Sequence, residues 1–287
     1  MGDRIGMDGI GRPRGRRTSV QWARTIVQLA LVIATTVAGV RLALGLSLSS
    51  IETYCPFGGL ETAWSLITNQ SFSCATGERN LSLFLALLLL TLIARKAFCS
   101  WVCPFGTVSE WISALRRWIA AKRGGAAVSS VGFVEPPRWL DRSLRLLRVP
   151  VLVVILIFTY RTGELVFRGY DPYYILFSMH GHDVRNVSYA ILAGVLGLAF
   201  LIPMAWCRYL CPLGVVLWPF AAVGRLRIRR SWSTCTGCGA CDRACPQAIE
   251  ISRPAEVRSG ECTLCLECTE ACPSPGALEL CLEGKRV

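Results

Sequence analysis

Eight cysteines near the C-terminus fall into two runs of one spacing. Cys235, Cys238, Cys241 and Cys245 form C-x-x-C-x-x-C-x-x-x-C ahead of Pro246, and Cys262, Cys265, Cys268 and Cys272 repeat it ahead of Pro273. Such spacing brings neighbouring thiolates onto one small inorganic core, whereas disulfides have no need of it. Paired C-x-x-C motifs also bind zinc. The third Cys at the same short spacing and the C-x-x-x-C-P ending point instead to iron–sulfur chemistry.

In runs of this kind the fourth cysteine serves the other cluster. Cys235, Cys238, Cys241 and Cys272 are therefore expected to hold one 4Fe–4S cluster, and Cys262, Cys265, Cys268 and Cys245 a second. Gly237, Gly239 and Ala240 allow close wrapping of the first. The runs repeat downstream as CPQAIEI and CPSPGALEL, whose alternating AIEI and ALEL read as strand edges. Glu261, Glu267 and Glu270 accompany the second run, while Asp242 is balanced by Arg243 in the first. The second cluster is accordingly expected at the lower potential. Two nearby clusters pass single electrons and do not make or break bonds, so an electron-transfer subunit is expected here and not a stand-alone enzyme.

A second cysteine pattern lies upstream. FCSWVCPFGTV from Phe98 and WCRYLCPLGVV from Trp206 share C-x-x-x-C-P. On a helix, Cys99 and Cys103 would share a face, as would Cys207 and Cys211. These four thiols suit a soft-metal or iron–sulfur site, two redox dithiols, or simple packing of buried cysteines. Pro104 and Pro212 break the preceding helix unless they start a new one.

The elements that position these motifs are apolar. Of 287 residues, 53% are hydrophobic and 17% charged, a balance that points to a membrane protein. Four runs read as membrane spans: Thr25–Leu46, Leu81–Cys99, Val149–Phe167 and Ser188–Cys207. Arg41, Arg95 and Lys96 are expected to snorkel to an interface, and Pro203 to kink the fourth helix. The net charge of +12 resides at the ends of these runs and forms no basic face for nucleic acid.

Residues 1–24 carry six Lys/Arg, the link from Arg95 to Arg148 ten and the segment after span four ten, whereas the links at 47–80 and 168–187 carry one and two. The basic parts are expected in the cytoplasm. Both termini then lie inside a bacterial inner membrane, where the thiols stay reduced. Arg16–Arg17 before the first run reads as positive-inside retention rather than an export signal. No small-residue cleavage site follows that run, which reads as a permanent helix.

The domain plan is a basic tail at 1–24, an all-α four-helix membrane domain at 25–230 made of two duplicated helix pairs, and a small α+β two-cluster domain at 231–287. VSEWISALRRWIAA and VVLWPFAAVGRLRIRR read as interfacial helices. Of the outer loops, YCPFGGLETAW at Tyr54–Trp64 carries Cys55, which either pairs with Cys74 or lines a redox, metal or quinol site. YDPYY is followed by His180 and His182, a solvated pair or metal ligands. Cys281 reads as a buried apolar residue.

Together these features resemble the NapH/NosR-like polytopic 4Fe–4S proteins, from Thr25 onward. YCPFGGLE is similar to a motif of their relatives. The resemblance implies quinol oxidation and electron delivery to periplasmic or membrane redox partners, with quinone as a further ligand. NosR carries a large outer flavin-binding domain for which this chain has no length. CcoG-like relatives share the C-x-x-x-C-P and ferredoxin elements and imply a second function, metallocentre assembly by cupric reduction.

Overall fold

The computed structural model describes residues 18–46, 56–69, 77–122, 136–162, 169–178, 186–282 and 285–286. Cys55, Cys74, His180 and His182 lie outside them, so their expected roles have no structural counterpart here.

The N-terminal part is helical. α1 (Ser19–Ala43), α2 (Pro56–Asn69), α3 (Gly77–Ala94), a short α4 (Ala97–Trp101) and α5 (Pro104–Lys122) follow one another. After α6 (Arg138–Leu146) come α7 (Arg148–Thr162), α8 (Pro172–Phe177), α9 (Asn186–Leu201), a π-helical turn (Trp206–Leu210) and α10 (Pro212–Val223). Two helical stretches are long and apolar enough to cross a membrane, Ser19–Ala43 and the run Arg138–Thr162.

The duplication is larger than two helix pairs. α1 packs on α5 as α7 packs on α10, and α2 on α3 as α8 on α9. Across the halves, α5 meets α9 as α10 meets α3, and α2 meets α7 as α8 meets α1. Each of these contacts thus has a counterpart, which describes a pseudo-twofold arrangement of α1–α5 and α7–α10.

Several sequence expectations are corrected. The run expected to span Leu81–Cys99 ends as a helix at Ala94, where Arg95 adopts a left-handed φ of 53°. The run expected over Ser188–Cys207 ends at Leu201, and Met204 takes φ 50° just after Pro203. Neither C-x-x-x-C segment therefore continues its membrane run. The segments read as outer loops contain packed helices. In α2, Glu61 and Thr62 are buried, and a Cβ on Gly59 would stand 2.2 Å from the Asn80 carbonyl oxygen of α3. In α8, Tyr174, Ile175 and Phe177 are buried. Of the expected interfacial helix VVLWPFAAVGRLRIRR, the part up to Val223 is helical and LRIRR is a strand.

That strand, β1 (Leu226–Arg230), pairs antiparallel with β2 (Leu278–Leu282), which pairs with β3 (Lys285–Arg286). The register runs from Leu226↔Leu282 to Arg230↔Leu278. The sheet thus recruits residues before the expected start at 231. ALEL supplies β2, whereas AIEI forms no strand, because β1 already occupies the β2 edge. Ile228, Ile251, Val257 and Leu264 form the core beneath the sheet, next to α11 (Ala240–Ala244) and α12 (Glu267–Glu270). Cys281 is buried on β2 as expected.

Candidate iron–sulfur sites

Each cysteine run wraps a cavity. One is lined by Cys235, Cys238 and Cys241 together with Cys272, the other by Cys262, Cys265 and Cys268 together with Cys245. The exchanged fourth cysteine places each half's closing residue in the other half's cavity.

The two wraps share one backbone device. The residues flanking the middle cysteine are left-handed in both: Gly237 (φ 71°) and Gly239 (66°) around Cys238, Leu264 (48°) and Leu266 (60°) around Cys265. Alternating handedness turns successive N–H groups into one concavity and so favours an anionic occupant. Leucine at the second pair of positions accepts a conformation that costs on the order of 1 kcal/mol.

The thiols suit iron–sulfur clusters. Burial pushes Cys241 and Cys245 up to about 11, and Cys262, Cys265 and Cys268 also shift upward through burial. A cationic iron core compensates the desolvation of such thiolates. The described cysteines are free thiols. Among the described residues no three Cys, His, Asp or Glu converge tightly enough for a single ion. In each cavity four thiols ring one space, a donor set that fits a 4Fe–4S cluster.

The second wrap is tied to the helical part by consecutive carbonyls. Lys96 N–H donates to Cys262 O (3.3 Å), Ser100 Oγ to Thr263 O (2.7 Å) and Trp101 Nε1 to Leu264 O (3.0 Å). Cys265 O accepts from Gln21 Nε2 (2.7 Å) and Arg24 Nη1 (3.1 Å). Three of these donors belong to α4 or the residue before it, and α4 carries Cys99.

The charges expected to surround the second wrap are largely neutralised. Burial raises the Glu261 carboxyl, but hydrogen bonds and charge from Arg148 and Lys96 outweigh it and hold the group at about 2. Arg24 pairs with Glu267, and Thr18 donates to Glu270. Arg95 and Lys96 do not snorkel: they are 0% and 3% exposed and reach into the C-terminal domain. Arg95 donates to Leu226 O and Ser259 O, and Lys96 to Glu261. Arg24, counted in the basic tail, lies in α1, buried against Ser100 O, Cys265 O and Glu110. These corrections share one cause: a charge at the end of an apolar run finds its partner, a carboxylate or a carbonyl, on a distant segment that the local sequence cannot show. The expected lower potential of the second site loses its basis. In the first run, Asp242 accepts from Ile251 N–H and Ser252 N–H rather than balancing Arg243.

The C-x-x-x-C-P cysteines come together from both halves. Cys207 lies within electrostatic range of Cys211, Cys99 and Cys103, and Cys99 within range of Cys103 and Cys211. Their local geometry is duplicated. Cys103 N–H donates to Phe98 O and Cys211 N–H to Trp206 O, both at 2.8 Å. Pro104 and Pro212 then start α5 and α10, resolving the choice between breaker and first-turn residue. Gly106 N–H points to Cys103 Sγ at 3.5 Å, whereas Gly214 N–H donates to Cys211 O at 3.1 Å. Two helix N-termini thus face this thiol set. Cys207 sits in the π-helical turn, a feature frequent at functional sites.

Sequence reading missed Asp171. It caps α8 by accepting from Tyr173 N–H (3.1 Å) and lies within electrostatic range of Cys103 and Cys211. The available signal was YDPY at Tyr170–Tyr173, which matches YCPF at Tyr54–Phe57, each pattern placing its proline first in a helix of its half.

Comparison with known proteins follows these boundaries. A 4Fe-4S binding domain model matches residues 77–123 and again 187–231, each stretch containing one C-x-x-x-C-P motif. A 4Fe-4S dicluster domain model matches 227–274. The chain is 31% identical over 81% of its length to the Escherichia coli (strain K12) protein YccM, whose name assigns it to electron transport. That match spans 64% of the YccM chain. An uncharacterized protein of Methanocaldococcus jannaschii is 31% identical over 65% of this chain and 72% of its own. The ferredoxin-type protein NapH of E. coli (strain K12) is 23% identical over 64% of this chain and 61% of its own. No solved structure matches.

The thiol arrangement and the two matching models define an iron–sulfur protein of ferredoxin type. The chain belongs to the NapH-like family.

Proposed function

We propose that this protein is a membrane-bound relay. It carries single electrons between a cytoplasmic two-cluster domain and a further redox centre held by Cys99, Cys103, Cys207 and Cys211, in exchange with the quinone pool or a membrane or periplasmic partner. The two clusters are assigned to Cys235, Cys238, Cys241 and Cys272 and to Cys262, Cys265, Cys268 and Cys245. Such clusters supply reversible one-electron storage.

The observation that carries this reading is the strapping of carbonyls 262–265 onto Gln21, Arg24 and the α4 segment. It sets the second cavity beside the helix bearing Cys99, whose electrostatic neighbours include Lys96 and Glu261. A path then runs from the exposed Cys238 edge, through the second wrap, to the duplicated thiol set. The bilayer is supported by α1, by Arg138–Thr162 and by large exposed apolar residues that continue onto α3 and α9, among them Leu85, Leu89, Ile93 and Val187. The four-span, both-termini-inside topology remains the arrangement of choice, since the basic segments flank these faces.

Copper handling for metallocentre assembly is the alternative reading, since the four C-x-x-x-C-P thiols also suit a soft metal. Iron and acid-labile sulfide, measured with EPR on anaerobically purified protein, test the proposal. About twelve irons per chain are expected, falling to about eight when the four C-x-x-x-C-P cysteines become Ser. Stoichiometric copper at those thiols without extra iron would favour assembly.

A further inference from the structure

The far end of the C-terminal domain has a charge asymmetry that the relay itself does not use. Among residues 225–282, every charged residue in the exposed class is an arginine: Arg225, Arg229, Arg243, Arg253 and Arg258. The acidic residues of the same stretch are less exposed, and two of them, Glu250 and Glu256, pair with Arg253 (3.7 Å) and Arg258 (3.4 Å).

Two of these arginines stand at the rim of the first cavity. Arg243 Nη2 donates to Cys238 O at 3.1 Å, and Cys238 is the exposed cysteine among those described. Arg253 has a 72% exposed side chain, and its carbonyl accepts from Arg230 Nη2 (3.2 Å). Arg230 stacks 3.6 Å over the ring of Trp232, which is 65% exposed, and its Nη1 lies 3.7 Å from Cys235 Sγ. An exposed aromatic among arginines has the composition of an interface centre.

On one side the rim adjoins the helical part: Glu250, which pairs with Arg253, is also bound by Arg138 of α6.

We infer that the Arg230–Trp232–Cys238–Arg243–Arg253 rim is the docking surface for an acidic, soluble one-electron donor protein. The inference rests on the relay reading and names its cytoplasmic partner by charge. In the exchange the donor loses one electron and the first cluster gains it, with no bond made and no proton required.

Stopped-flow reduction of the full chain in neutral detergent tests this, with a reduced acidic plant-type ferredoxin as the probe and methyl viologen radical cation as a small cationic control. The second-order rate constant with ferredoxin is expected to fall with added salt. It should drop about tenfold or more in R243E/R253E, with the neutral R243Q/R253Q between. Reduction by methyl viologen should not slow in the same variants. A ferredoxin rate indifferent to salt and to both variants overturns the docking surface while leaving the relay intact, provided dithionite still yields the cluster EPR signals. Absence of those signals in the unaltered protein would overturn the relay reading instead. A charge effect seen only in phosphatidylglycerol bilayers would make the rim a lipid contact and also overturn the proposal.

Discussion

Arg148 grips Glu261 from both terminal nitrogens, Nη2 to Oε1 at 2.6 Å and Nη1 to Oε2 at 3.1 Å. Lys96 adds a third contact to Oε2 at 2.8 Å. Arg148 opens α7 in the second half of the helical domain, and Lys96 sits between α3 and α4 in the first. One carboxylate of the C-terminal domain therefore joins both halves, in the planar fork geometry that arginine provides.

Removing that carboxylate should be costly. Glu261→Gln leaves Lys96 and Arg148 buried without their counter-charge, a loss of about 3–5 kcal/mol for a broken buried pair. Thermal unfolding of the purified protein should show a markedly lower midpoint, whereas Glu279→Gln on β2 should change it little. Equal midpoints would remove Glu261 from its joining role.

The same pair predicts a pH dependence. The folded carboxyl sits at about 2, below its ordinary 4.5. Its contribution is full above about 4.5 and is lost as pH falls toward 2, roughly 3 kcal/mol in all. The stability gap between the unaltered protein and Glu261→Gln should thus narrow as pH is lowered from 6 to 3.5. A constant gap would contradict the assignment.

Crossed ligation can be read from single substitutions. Cys272→Ser should cost about four irons and the signal of the cluster formed with Cys235, Cys238 and Cys241, leaving the other. Cys245→Ser should do the reverse. Quantitative EPR on both variants checks this; loss of the cluster belonging to the mutated run itself would indicate uncrossed ligation.

Arg24 lies beside the second wrap and donates to Cys265 O. Arg24→Gln removes a buried positive charge and should lower that cluster's potential by on the order of 50 mV. Redox titration followed by EPR decides the point, and an unshifted potential would show that Arg24 acts through packing alone.

The two C-x-x-x-C-P motifs should respond unequally to one methyl group. A Cβ on Gly106 would stand 2.1 Å from the Cys99 carbonyl oxygen, while one on Gly214 would meet Arg148 Nη1 at 3.2 Å and Cys207 O at 3.5 Å. Gly106→Ala should therefore disrupt iron content at this set and Gly214→Ala should largely preserve it. Iron analysis of the two variants, with the other clusters as internal reference, makes the comparison.

The cavity-forming cysteines were legible because their pattern is local: spacing alone groups Cys235, Cys238 and Cys241, and a ligation rule brings in Cys272. The matching of FCSWVCP with WCRYLCP was legible for the same reason. What sequence hid was set by distant contacts. Glu261 and Glu267 read as free negative charge because Arg148, Lys96 and Arg24 are far along the chain. RLRIRR read as an interfacial helix because its basic alternation says nothing of the β2 edge that receives it. α2 and α8 read as loops because they are too short for a span, although their buried faces form part of each half.

The four bonded carbonyls from Cys262 to Cys265 also bear on how fast such a protein works. A redox domain on a flexible tether must swing between donor and acceptor, and its turnover is set by that search. Here the loop that would hold the inner cluster is stitched to the helices at each successive residue. In the proposed relay, the distance and orientation for tunnelling toward the Cys99 side are thereby fixed once the chain folds. Throughput then depends on driving force and on the arrival of outside partners, with no swinging step between them.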